Sequence, residues 1–102
     1  MKVIFTPEAA EALAELHHYI EEAASKVVAK RYLGEVVKFC ESMGEFAPER
    51  GNRRDDLRPG LRVTNYKRRV VIAFAVELDQ VAIIGVFSGG QDYETILDDQ
   101  QH

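Results

Sequence analysis

A chain of 102 residues, 46% of them hydrophobic, is the size of one domain that buries about two-thirds of its unfolded surface around a single core. It has no apolar run approaching ~18 residues, and Met1 to Phe5 turns polar too soon for a signal peptide, so a cytoplasmic protein without a membrane span is expected. The single cysteine excludes an internal disulfide, the adjacent His17 and His18 without a Cys partner argue against a metal site, and a net charge of −4 argues against nonspecific coating of nucleic acid.

Val3, Ile4 and Phe5 have strand propensity and are closed at once by Thr6-Pro7. Thr6 can cap a helix, Pro7 fits its first turn where the missing N–H costs nothing, and Glu8 suits the positive end of the helix dipole. Leu13, Leu16, Ile20 and Ala23 or Ala24 then recur at helical spacing and predict a core stripe. Ser25 is placed to cap a second helix that runs to about Glu45, with Ala29, Leu33 or Tyr32, Val36, Cys40 and Met43 on its apolar face and Gly34 as a weak point. Two helices joined so briefly must lie antiparallel. Cys40 reads as a buried small hydrophobe rather than a nucleophile.

Ala47-Pro48-Glu49 ends the second helix, and Arg50 to Gly60 is a loop by its Gly, Pro, Asn and Asp content. Pro59-Gly60 is a turn signal, since proline sets the first turn dihedral and glycine admits positive φ. Leu61 to Tyr66, Val70 to Val76 and Val81 to Phe87 follow as three strands of an antiparallel meander, the middle one apolar on both sides because both faces are covered. Gly85 predicts close approach of another group. Gly89-Gly90 reads as a turn rather than a phosphate loop, and residues 98–102 form a polar tail. The fold class is therefore α+β, a single domain over 1–102 with a helical hairpin packed on one face of a small antiparallel sheet.

Charge is distributed unevenly. Arg50 to Arg69 holds eight of the thirteen Lys and Arg but two of the seventeen Asp and Glu, so it carries +6 while the other eighty-two residues carry −10. Such a segment marks a surface that meets something negative. Asp55 and Asp56 are expected to neutralise nearby arginines, with Arg58 or Arg62 as the partner that fixes the loop; Arg50, Arg53 and Arg54 read as exposed charges of small consequence. No Ser/His/Asp arrangement with a surrounding motif, Walker loop or dinucleotide fingerprint is present.

The stretch GNRRDDLRPGLR from Gly51 to Arg62, followed by VVIAFAV and then VAIIGVFSGGQD, is similar to the ParE family of toxins from bacterial toxin–antitoxin pairs. The preceding helical hairpin agrees in position and length, so the resemblance spans nearly the whole chain, with Gly51 to Arg62 as its distinctive part. It implies a RelE/ParE superfamily fold, a ParD-type antitoxin as partner, DNA gyrase as target, and neither a hydrolytic site nor a cofactor. Ser88 stands where many members have histidine, Gln91 where many have arginine, and Ala75 where the strand often carries arginine. Arg58, Arg62, Arg68, Arg69 and Tyr93 are the candidate target-binding residues, with Arg68 and Arg69 favoured because no acid neighbours them in sequence. Tyr19, Val27, Tyr32 and Phe39, at the margin of the helical stripes, are the candidate antitoxin-binding residues. Two other readings stand beside this one. One is a RelE-like ribosome-dependent ribonuclease, with Arg62, Arg68 or Arg69 on the transition-state phosphate and Tyr93 as general base; the other is a non-toxic protein-binding module.

Overall fold

A computed structural model describes residues 1–46, 50–88, 93–94 and 96–97. The chain runs β1 (Lys2–Phe5), α1 (Pro7–Ala23), α2 (Lys26–Phe46), β2 (Asn52–Arg53), β3 (Leu61–Tyr66), β4 (Val70–Val76) and β5 (Gln80–Ser88). Both helix starts follow from their caps. The Thr6 hydroxyl accepts from the Ala9 N–H at 3.2 Å with Pro7 opening the first turn, and the Ser25 hydroxyl accepts from the Val28 N–H at 3.1 Å. Thr6 also ties the helix to the sheet, its N–H donating to the Ile83 carbonyl at 3.0 Å and its hydroxyl to the Ile84 carbonyl at 3.2 Å.

The strands form one five-stranded sheet in the order β1-β5-β4-β3-β2. The expected meander of β3, β4 and β5 is there, antiparallel throughout. The sheet as a whole is mixed, however, because β1 lies parallel to β5 with Val3 beside Val81 and Phe5 beside Ile83. That pairing joins opposite ends of the chain and leaves no local trace in the sequence. The two-residue β2, paired antiparallel to β3, is likewise too short to show a period.

Strand alternation sorts the side chains onto two faces. On one face Tyr66, Val70, Ile72, Phe74, Val81 and Ile83 meet Leu16 of α1 and Leu33, Val36, Cys40 and Met43 of α2. Ala9 is fully buried there, Leu13 and Ile20 are partly so, but Ala23 and Ala24 are exposed where the chain leaves α1, which corrects the end of the expected stripe. On the other face Leu57, Leu61, Val63, Ala73 and Phe87 form a second core, closed by Leu97, which is fully buried, with Tyr93 and Ile96 packed against it. The middle strand β4 is therefore apolar on both sides for the expected reason, while what covers its second side is the segment after β5.

Between Ala73 and Phe74 the β4–β5 register shifts, Ala73 facing Gly85 and Phe74 facing Ile83, so Ile84 has no direct partner. Gly85 sits just past this irregularity. A Cβ there would stand 2.6 Å from the Phe87 ring, so the close approach expected of this glycine is made by a side chain of its own strand.

Candidate functional site

The basic segment is built in two parts, and the first is structural. The Arg54 N–H donates to the Leu61 carbonyl at 2.8 Å, and the Leu61 N–H to the Arg58 carbonyl at 3.0 Å, which closes a turn on Pro59 and a positive-φ Gly60 (φ 79°). Asp55 accepts from the Gly60 N–H at 2.9 Å and from Arg53 Nε at 3.0 Å. Those bonds, the backbone one foremost, hold its carboxyl below the ordinary value. Asp56 is paired bidentately with Arg54, at 3.0 Å to Nε and 2.9 Å to Nη2, and is lowered by that contact.

The expectation that Arg58 or Arg62 neutralises these acids is thus corrected. Each aspartate takes the arginine two residues before it, because the tight loop returns the side chain over its own backbone, whereas Arg62 has entered β3. Arg54 is also no idle surface charge. Its side chain is 23% exposed, donates to the Tyr93 hydroxyl at 3.1 Å and to Glu94 Oε2 at 2.5 Å, and so ties the loop to the segment that closes the second core. Its bonds to Asp56 and then Glu94 raise its pKa further. Arg50, too, is engaged, with Nη1 2.7 Å from the Ser42 hydroxyl and its guanidinium 5.3 Å from the centre of the Phe39 ring. Of the three arginines expected to be of small consequence, Arg53 is the one left mainly exposed, at 65%, and it too is paired, with Asp55.

The second part is the tip of the β3–β4 hairpin. The Arg69 N–H donates to the Tyr66 carbonyl at 3.2 Å, and Lys67 and Arg68 between them both have positive φ, 49° and 64°. Hairpins of this twist usually place Asn-Gly at such positions, so two long cationic side chains here cost backbone strain. Lys67 Nζ lies 3.6 Å from Glu35 Oε2 and 5.4 Å from the centre of the Tyr66 ring, and its pKa is raised by Tyr66 first and Glu35 next. Arg68 and Arg69, by contrast, make no ion pair or side-chain hydrogen bond among the described residues, and neither do Arg58 and Arg62. Arg68 and Arg69 instead form the rim of a groove of about 540 Å³ whose floor is Leu16, Ile20 and Val70 and whose walls are Tyr19 and Tyr32. Burial, then Tyr66, pushes the Tyr32 phenol up, while the nearby Arg69 charge opposes the shift.

The candidate site residues are therefore divided. Arg68 and Arg69 lie with Tyr19 and Tyr32 in one groove, which sets two candidate target contacts beside two candidate antitoxin contacts. Arg62 belongs to the helix side of β3, opposite Phe74, and is half-buried, as is Arg58 in the turn before it. Tyr93 is on the other face, its ring 6.1 Å from that of Phe87 and its hydroxyl taken by Arg54. Tyr19 and Val27 are open to solvent, 67% and 74% exposed, as a docking surface requires. Tyr32 and Phe39 are only half-open, since both rings pack on Tyr66, at 6.3 and 5.1 Å between centroids.

A second groove of about 470 Å³ runs along α1, between Glu8, Glu11 and Glu15 and the end of β5. Because β1 covers β5 only over Gln80 to Ile83, the stretch from Ile84 to Ser88 has β4 on one side and no strand on the other among the described residues. Ser88 ends β5 on the helix side, opposite Val70, and Ala75 is half-buried opposite Leu61 and Ala82. Gln91, Gly89-Gly90, Ala47 to Glu49 and the tail 98–102 lie outside the described residues. Sequence reasoning missed the roles of Arg54 and Leu97; the apolar pair Ile96-Leu97 in a polar tail was the one signal for the latter. Among the described residues no helix is long and apolar enough to cross a membrane, and no three His, Cys, Asp or Glu are grouped to hold a metal ion.

Comparison with known proteins agrees with this geometry. No curated protein matches the chain. Among solved structures, a chain of the chromosomal ParDE TA system from P. aeruginosa shares the fold with a TM-score of 0.76 at 18% identity, covering 86% of this chain and 95% of that one. The family described as the ParE toxin of type II toxin-antitoxin system, parDE, matches residues 3–93. The chain belongs to the ParE toxin family of type II toxin–antitoxin systems.

Proposed function

We propose that this toxin acts by binding DNA gyrase through the tip of the β3–β4 hairpin, without chemistry of its own, and that a ParD-like antitoxin neutralises it in the cytoplasm. The observation that carries the reading is the pair Arg68 and Arg69, held on a strained positive-φ turn with no acid paired to them among the described residues. Strain kept at an exposed tip is sustained by the surrounding strands and serves presentation rather than stability. The ribonuclease reading fares worse on the same geometry. It needs a general base within reach of the arginines, and the Tyr93 hydroxyl is bonded to Arg54 on the sheet face away from Arg62 and the groove.

The antitoxin would lay an apolar helix face against Tyr19 and Val27 and an extended segment along the open edge of β5 at Ile84 to Ser88. Glu8, Glu11 and Glu15 beside that edge favour a segment bearing Lys or Arg. The experiment is a paired one. Purified toxin should trap cleaved supercoiled DNA only when gyrase and ATP are present, and leave ribosome-bound mRNA intact; the opposite pair of results would establish the ribonuclease reading instead.

A further inference from the structure

The groove under the hairpin tip combines features that contact with a protein target does not require together. Among its lining residues are two phenol rings, Tyr19 and Tyr32, and the guanidiniums of Arg68 and Arg69, which have no ion-pair partner among the described residues. Among the described residues no carboxylate lines it, whereas the neighbouring groove along α1 has three glutamates and would repel an anion. Lys67, the third cation of the turn, is drawn off to Glu35 and the Tyr66 ring, so the charge offered to the groove is a pair of forked donors suited to an oxyanion. The volume of about 540 Å³ falls in the range of small-molecule sites. Tyr19, 67% exposed, has ring area free for stacking.

We infer that this groove binds a nucleoside phosphate, with the base stacked on the Tyr19 and Tyr32 rings and the phosphate held by Arg68 and Arg69. Two guanidiniums alone would accept any oxyanion, and two rings alone any flat apolar group; the combination selects a planar aromatic that carries phosphate. The same moiety occurs in a free mononucleotide and in an unpaired stretch of nucleic acid. The inference is independent of whether gyrase is the target.

The test titrates the full chain, purified alone at fixed salt, with AMP, adenosine, inorganic phosphate and a four-residue deoxyadenosine strand, read by calorimetry. AMP is expected to bind about tenfold tighter than adenosine or inorganic phosphate, since each of these supplies one half of the recognition. Tyr19→Ala, at a solvent-exposed position, should weaken AMP about fivefold or more and leave the melting temperature and the response to inorganic phosphate unchanged. Arg68→Ala with Arg69→Ala should bring AMP down to the affinity of adenosine. A strand that binds about tenfold tighter than AMP, with a steeper salt dependence, assigns the groove to nucleic acid; equal affinities assign it to the free nucleotide. The inference is overturned if AMP and inorganic phosphate bind equally, if AMP does not bind at about 10 mM, a concentration weaker than most specific sites need, or if Tyr19→Ala leaves AMP affinity unchanged.

Discussion

Leu97→Ala is the sharpest test of how the sheet is covered. The sequence places this residue next to a polar tail, where its loss would do nothing; the structure buries it completely against Leu57, Leu61, Val63, Ala73 and Phe87. Removing the methine and two methyl carbons from a fully buried leucine costs about 2–5 kcal/mol, depending on how far the site collapses. The lost transfer free energy alone, at about 0.8 kcal/mol for each of the three carbons, gives the lower end, about 2–3 kcal/mol. In a domain of this size each kcal/mol moves the melting temperature by about 4–8 °C, so a drop of about 10–20 °C is expected. Thermal melting followed by circular dichroism reads the loss, and amide exchange at Phe87 and Val63 localises it, because those strands lose their cover first. A drop of less than about 2 °C, which corresponds to less than ~0.5 kcal/mol, would refute the assignment of Leu97 to the core.

Three other outcomes follow from the same geometry. Gly85→Ala puts a Cβ 2.6 Å from the ring of buried Phe87 and should cost about 1–3 kcal/mol in denaturant titration; an unchanged midpoint would mean the ring moves aside freely. Because the folded state holds the Asp55 carboxyl below its ordinary 3.8, chiefly through the Gly60 N–H, its contribution is full above that value and drains away as pH falls through the lower folded one. The melting-temperature gap between wild type and Asp55→Asn should therefore be constant near neutrality and close only in acid below about pH 4, and a gap that closes already near pH 6 contradicts the assignment. Burial pushes the Cys40 thiol up to about 12, so at neutral pH a thiol reagent should reach it only through unfolding, about a thousandfold slower than free cysteine; rapid labelling of the native chain would show the packing around it to be open.

Much of the fold was legible because its signals are local. Thr6-Pro7 and Ser25 state where the helices start, Pro59-Gly60 states where the loop turns into β3, and the apolar runs that follow give the meander and its doubly covered middle strand. What sequence reasoning could not reach depends on partners far along the chain. The parallel β1–β5 pair joins Val3 to Val81, and Arg54 is made structural by Tyr93 and Glu94. Charge alone cannot separate an arginine that holds a loop from one that waits for a partner. It marked Arg50 to Arg69 as one basic surface, and the ion pairs among the described residues divide that surface into a fixed loop around Arg53 and Arg54 and a tip at Arg68 and Arg69 that they leave out. The tip was favoured on the simple ground that no acid is near it in sequence, and among the described residues neither Arg68 nor Arg69 has an ion-pair partner. Its nearness to Tyr19 and Tyr32, which places target and antitoxin candidates in one groove, required the helices to be docked on the sheet.

The measurement that bears most directly on the hairpin tip as the working surface is the Arg68→Ala, Arg69→Ala double variant, assayed for gyrase-dependent trapping of cleaved DNA at equal protein concentration. Both side chains are exposed and without acidic partners among the described residues, and alanine is as compatible with Arg69 as arginine is, though it leaves the strain at Arg68 in place. The expected result is loss of trapping, by about a hundredfold in the toxin concentration required, with a melting temperature within about 2 °C of wild type, as surface substitutions of less than ~0.5 kcal/mol allow. Full trapping by the double variant would show the tip to be a solvated turn and move the target contact elsewhere on the chain.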